Sequence, residues 1–190
     1  DLGERNNSAN TDKKYNVKLA WTPNKTDEYA IAYVSQQGEK GNPPYTSSVP
    51  GISIRYWQWP YWDKDSTYVI ARKSFGEHQL TARVYHDTYQ NGLHSYDNAR
   101  YDTQTRPFAF RSCYDDSTTG FSSELSLKLN DSNTLRTSVH WKDDVHREAN
   151  AGEPWRQIRD ITDFVGAENT TEISSALTLV TGLAYERRRS

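Results

Sequence analysis

The residues with most chemical capacity lie in two stretches of the chain. The first is Arg55-Tyr56-Trp57-Gln58-Trp59-Pro60-Tyr61-Trp62. Flat rings stack on flat ligands such as catecholates, haem or sugars, and a guanidinium adds attraction for anions. The second stretch carries Tyr96, Tyr101, Arg106, Phe108, Phe110, Arg111 and Tyr114. Taken as a set, Arg55, Trp57, Trp59, Tyr61, Trp62, Tyr96, Tyr101, Arg106, Phe108 and Arg111 are the expected ligand-binding residues. The competing use for such rings is loop packing or a place at a membrane interface.

Covalent chemistry has less support. The sequence contains no HExxH, GxGxxG or phosphate-loop motif, and no Ser/His/Asp set can be placed, so an enzyme is not expected. His140 and His146 flank Asp143-Asp144, but on a strand they share a face and stand too far apart to hold one ion. The pairs Asp115-Asp116 and Asp143-Asp144 are expected to be solvated loop charges. Cys113 is the single cysteine, without a disulfide partner or CxxC motif, and is expected to lie in a loop.

Composition narrows what can position these residues. Only 34% of the 190 residues are hydrophobic and the mean hydropathy is -0.96, yet 13% are aromatic. Disordered chains are poor in aromatics, so disorder is not expected. The net charge of -2 gives no global pull toward nucleic acid or acidic membranes, and the one basic run is Arg187-Arg188-Arg189. No apolar run reaches the ~20 residues of a membrane helix, but barrel strands need only about 9–11. A chain that begins at Asp1 and holds no Met is expected to be part of something longer.

Period-two alternation recurs in four pairs of segments. These are Lys14–Thr22 with Glu28–Gln36, Asp65–Ser74 with Gln79–Tyr89, 121–129 with 135–141, and Trp155–Ala167 with Ala176–Arg187. Short turns close the pairs, at 23–27, 76–78, 130–133 and within Glu168–Ser174. Long loops are expected at Gln37–Lys64, Gln90–Thr118 and Asp143–Pro154, and Asp1–Asp12 is expected to belong to a preceding loop. Short turns alternating with long loops fit an outer-membrane barrel better than a soluble sandwich. Lys18, Arg83, Lys128, Arg136 and Lys142 would then face a wet lumen. The opposite stripes would face lipid, with Trp21 and Trp141 as girdle aromatics. The fold class is therefore all-β, an antiparallel up-and-down meander of about eight strands, part of a larger transmembrane β-barrel.

Several stretches resemble TonB-dependent outer-membrane receptors of Gram-negative bacteria. YNVKLAWTPNKTDEYAIAYVSQQGEKGNPP (Tyr15–Pro44) is similar to a hairpin of that family. RYWQWPYWDKDSTYVIARKSFGEHQLTARVYHDTY (Arg55–Tyr89) is similar to its next loop and hairpin. Ser95–Leu125, Trp141–Thr162 and Leu183–Ser190 resemble successive loops and strands, in the family's order. The resemblance implies that residues 1–190 are a partial barrel domain, with the plug domain, TonB box and remaining strands absent. It implies ligand-contacting extracellular loops and TonB-dependent import of an iron-siderophore or similar complex. TonB would act through the missing plug, the barrel would meet outer-membrane lipid, and iron would arrive inside the ligand with no cofactor or protein-bound metal. The alternative is a soluble all-β carbohydrate-binding module with an aromatic platform; a non-transporting barrel or adhesin is a further one.

Overall fold

A computed structural model describes residues 5–46 and 49–190. The start of the expected leading loop, residues 1–4, and residues 47–48 of the first long loop lie outside the described residues. Eight strands form one sheet: β1 (Asn10–Trp21), β2 (Glu28–Asn42), β3 (Tyr56–Phe75), β4 (His78–Tyr96), β5 (Arg111–Asn130), β6 (Asn133–Asn150), β7 (Arg156–Ser174) and β8 (Leu177–Arg189). Each pairs antiparallel with the next in sequence, so the topology is an uninterrupted meander.

The register separates two faces. On one face the rows read Leu19, Ile31, Val69, Val84, Phe121 and Trp141 across β1 to β6. On the other, Ala32, Tyr68 and Tyr85 continue through Gly120 to Lys142. The five cations expected on a common face share this second one, as their register positions require.

The apolar face has no cover. On strands with neighbours on both sides Val84 is 52% exposed and Val165 51%, and the only buried hydrophobic residues among those described are Ala30 and Ala32, on the polar face. Burial of apolar area drives folding in water, and a soluble two-layer sandwich buries both inner faces. This single sheet lacks that layer. Its apolar face is suited instead to hydrocarbon.

The aromatic border of the apolar stripe runs obliquely across the hydrogen-bonded rows. Tyr15 on β1 pairs with Ser35, whereas Trp141 on β6 pairs with Asp163, and Tyr185 lies two residues before Arg187 on β8. Barrel strands tilted at about 35–45° require such an offset, because a level membrane boundary then cuts rows diagonally. At the short-turn end Trp21 stacks on Tyr29 with centroids 5.4 Å apart.

Several boundaries differ from expectation. β3 and β5 each run for 20 residues and β6 for 18, about twice what a bilayer needs. Much of the three expected long loops is therefore strand, and the connections shrink to 43–55, 97–110 and 151–155. Where both faces of a hairpin are wet, alternation fades from the sequence while the ladder continues. β1 likewise begins at Asn10, inside the expected leading loop, and β7 runs to Ser174, moving its turn to 175–176.

The first short turn is tied to the second. Asn24 Oδ1 accepts from the Thr26 and Asp27 N–H groups at 2.9 and 2.8 Å, an Asx-type turn. Asp27, 3% exposed, accepts from Lys73 Nζ at 2.6 Å and the Ser74 N–H at 2.9 Å, beside the β3–β4 turn. The Lys73 and Ser74 hydrogen bonds hold its carboxyl well below the usual aspartate range.

Candidate functional site

Pro60 sets the geometry of the first aromatic stretch. It has no N–H to give a ladder, and the β3–β4 register shifts between Gln58 and Tyr61. In a regular strand Trp59 and Trp62 would point to opposite faces. The bulge brings Trp57, Trp59 and Trp62 to one side, with Trp57–Trp59 centroids 6.2 Å apart and Trp59–Trp62 6.0 Å. Trp62 continues to Tyr89 at 5.4 Å. Trp57 pairs with Ser95 and Trp62 with Asn91, which places the ladder on the polar face.

Two lysines accompany the ladder. Lys40 Nζ lies 4.7 Å from the Trp59 ring centroid and 3.6 Å from that of Trp62. Lys64 Nζ lies 5.2 Å from the Tyr89 ring. Cations over ring faces are held by the ring quadrupole. Burial, followed by the nearby Asp116 charge, pushes the Tyr89 hydroxyl up to about 12, so it stays protonated at neutral pH.

Tyr61 belongs to the other face. It pairs with Gly92, and a Cβ on that glycine would come within 2.6 Å of the Tyr61 ring. The ring crosses Gly92 toward Cys113, which pairs with Gly92 from β5. Burial first, and then a hydrogen bond with Cys113, push the Tyr61 hydroxyl up to about 12. Cys113 is thus a half-buried strand residue, not a loop cysteine.

The second stretch also divides. Tyr96 ends β4 and Arg111 begins β5, while Tyr101, Arg106 and Phe108 lie on the connection 97–110. Tyr101, at φ 58°, sets its ring against Tyr56 at 6.1 Å and Tyr96 at 5.6 Å. Tyr56 and Tyr96 are register partners on the Tyr61 side of the sheet. Asp97 accepts from the Thr105 and Arg106 N–H groups at 2.9 and 3.0 Å. Burial opposes its charge, but these bonds outweigh it and hold the carboxyl at about 2. Gln104 donates to the Ser95 and Phe110 carbonyls and accepts from Arg111 Nε at 2.6 Å. Arg106 lies 5.8 Å from the Phe108 ring and Arg55 5.9 Å from the Trp57 ring.

Ser95 joins the two groups. It is 1% exposed, its Oγ accepts from Trp57 Nε1 at 3.1 Å, and it donates to the Phe108 carbonyl at 2.9 Å. Asn7 braces the same corner, donating to the Asn42 and Trp57 carbonyls at 3.0 and 2.8 Å. Ser95, Lys40 and Asn7 were not legible as site residues. A serine ending a strand, or a lysine in a Gly-Glu-Lys-Gly run, has no distinguishing spacing.

A concavity of about 730 Å³ lies along the polar side, touched by Arg83, Tyr85, Glu124, His140, Phe164 and Glu186. Because it is lined from β4 through β8, the sheet curls with its polar face inside. None of the ten expected ligand-binding residues lines it, whereas Arg83, expected to face a lumen, does. Arg83 sits 4.9 Å from both the Tyr68 and Tyr85 rings, and Tyr85 Oη is 3.4 Å from His140 Nε2. Gly120 makes room for this, since a Cβ there would meet the Tyr85 ring at 2.1 Å. A smaller concavity of about 190 Å³ lies against Lys40 and Trp59.

The expected solvated loop carboxylates are instead strand residues with partners. Asp115 pairs with Arg147, and Asp116 with His146 Nδ1 at 2.7 Å. Asp143 pairs with Arg159 and Asp144 with Lys142, each at 2.7 Å. His140 and His146 take different partners. Among the described residues no group of three or more His, Cys, Asp or Glu side chains could hold a metal ion.

An uncovered apolar face with aromatic borders, a concave polar face and a strict meander define an all-β segment resembling part of an outer-membrane barrel. The solved structure of the copper transporter OprC superposes on 98% of this chain with a TM-score of 0.77 and 18% sequence identity. The chain spans 30% of the length of that protein. Neither protein-family models nor curated protein sequences give a match.

Proposed function

We propose that this chain is a wall segment of a TonB-dependent transporter in the outer membrane of a Gram-negative bacterium. The transporter captures a small ligand from outside and imports it. The observation that carries the reading is the uncovered apolar face backed by a concave, charged polar face. A soluble binding module has no use for Val84 and Val165 at 52% and 51% exposure on strands flanked on both sides.

Ligand capture falls to the polar-face ladder of Trp57, Trp59 and Trp62, with Lys40, Lys64 and Tyr89. Arg55, Arg106, Phe108 and Arg111 are supporting residues at the rim. Tyr61, Tyr96 and Tyr101 hold the rim from the other side. The ligand class is an iron-siderophore or similar complex, in which aromatic or anionic groups meet indole faces and ammonium groups. Import needs differential binding between two states of the transporter, with no covalent step. TonB supplies the bias through a plug outside this chain.

The test is fractionation of the native protein, followed by ligand binding in detergent. A species several times heavier than 21.9 kDa that sediments with the outer membrane is expected. It should bind a ferric siderophore or, as the name of OprC suggests, copper. A soluble 21.9 kDa species would overturn the reading.

A further inference from the structure

The ring ladder does not stop at Tyr89. Register carries the polar face from Trp62 through Asn91 to Tyr114, and from Tyr89 to Asp116. Tyr114 on β5 lies one diagonal step from Tyr89, about 7–8 Å, within reach of aromatic side chains. Its ring meets that of His146 on β6 at 6.0 Å, with the planes 33° apart. Trp57, Trp59, Trp62, Tyr89, Tyr114 and His146 therefore floor the polar face from β3 to β6. At the usual strand spacing that floor is about 14 Å across. Beside Tyr89 and Asp116 lies a concavity of about 270 Å³, touched also by Lys64 and Thr118. Pockets for whole ligands run from about 300 to 1,000 Å³, so this one admits a single arm of a ligand.

The two ends of the floor differ in charge. Lys40 stands over Trp59 and Trp62, and Lys64 over Tyr89. At β5 and β6 acceptors prevail. Asp116 accepts from His146 Nδ1 at 2.7 Å and from the Arg147 N–H at 3.2 Å. A carboxylate only accepts, so Nδ1 carries the ring proton, and Nε2 of the neutral ring is a bare acceptor. Glu148 lies 3.7 Å from that Nε2 and 3.6 Å from Arg156 Nη1, beyond hydrogen-bond range of both. The side chains of His146 and Glu148 are 39% and 35% exposed, so both can be reached. From this arrangement we infer that Tyr114, His146 and Glu148 form a second subsite, which takes an ammonium-bearing arm of the ligand. Ring faces and a carboxylate attract a cation, Nε2 accepts its proton, and an anionic arm would be repelled. The inference rests on ligand capture by the ladder, proposed above. It adds that the ligand is amphoteric, with its anionic part at Lys40 and Lys64 and its cationic arm at β5 and β6.

The test uses the whole protein, extracted in detergent, and two iron(III) probes. Both are tris-catecholamides on a polyamine backbone, one with its backbone amine free and the other with that amine acetylated. Wild type should bind the free-amine probe about tenfold more tightly, the worth of one charged hydrogen bond. Glu148→Gln and His146→Ala should each reduce that preference to about twofold or less. Val145→Ala, on the opposite face of β6, should keep it. A preference that survives both substitutions, or a wild type that binds the two probes equally, overturns the subsite and leaves the ladder standing. A wild type that binds neither probe overturns ligand capture by the ladder itself. Glu148→Gln keeps the shape of the side chain and breaks no hydrogen bond, so it decides the matter even if His146→Ala fails to fold.

Discussion

The half of the sheet nearest the short turns and the half beyond the girdle are built from the same eight-strand ladder by different rules. In the first half, apolar and polar residues alternate strictly, as Val69, Val84 and Phe121 on one face and Tyr68, Tyr85 and Gly120 on the other. Beyond the girdle charges occupy both faces, with Asp143–Arg159 on one and Lys142–Asp144 on the other. Register there is disturbed by the bulge at Pro60 and fixed by side-chain bonds through Ser95 and Asn7. Where lipid enforces a face, pattern alone specifies structure. Where water bathes both faces, particular residues must do so, and these can be spent on a site.

The largest expected effect comes from placing a charge on the apolar face of the first half. Val84→Arg should destabilise the bilayer-folded protein by about 2–4 kcal/mol in urea titration. Thr81→Arg, on the polar side of the same strand, should be nearly neutral. Equal costs would erase the distinction between faces. Next is Gly120→Ala, whose new methyl collides with the Tyr85 ring and should cost about 1–3 kcal/mol. Loss of the Tyr85–His140 contact, read from the His140 ring resonances, should accompany it.

In the half beyond the aromatic border the expected contrast is in ligand binding. Trp62→Ala should weaken ligand binding about tenfold by titration calorimetry, from lost aromatic and cation–π contact. Tyr61→Ala, its neighbour on the opposite face, should weaken binding less than Trp62→Ala does, because its ring packs over Gly92 on the side away from the ladder. The reverse order would move the site to the other face. The smallest effect concerns Asp27. Its carboxyl is held below the ordinary aspartate value, so its contribution is complete above about 3.9 and is lost as pH falls below that. Amide exchange at 22–27 and 75–78 should therefore accelerate selectively in acid, and Asp27→Asn should abolish the pH dependence.

The same division explains how much was legible in the sequence. The eight strands, their pairing order and the common face of Lys18, Arg83, Lys128, Arg136 and Lys142 follow from alternation. The strand extensions did not, because runs such as Lys142-Asp143-Asp144 carry charge on both faces and look like loop. The aromatic-rich segments stood out by composition. The division of Trp57, Trp59 and Trp62 from Tyr61 depends on a bulge, which Pro60 hints at without fixing its register. Ser95 and Lys40 have meaning only once β2, β3 and β4 lie side by side.

The most direct test of the account asks which face of the sheet meets lipid. In a Cys113→Ser background, single spin labels at positions 137 to 142 of β6 would be scanned in bilayers with oxygen and a water-soluble nickel chelate as relaxants. Alternation with period two is expected: 137, 139 and 141 respond to oxygen, and 138, 140 and 142 to the chelate. Chelate access at all six positions, without alternation, would contradict it.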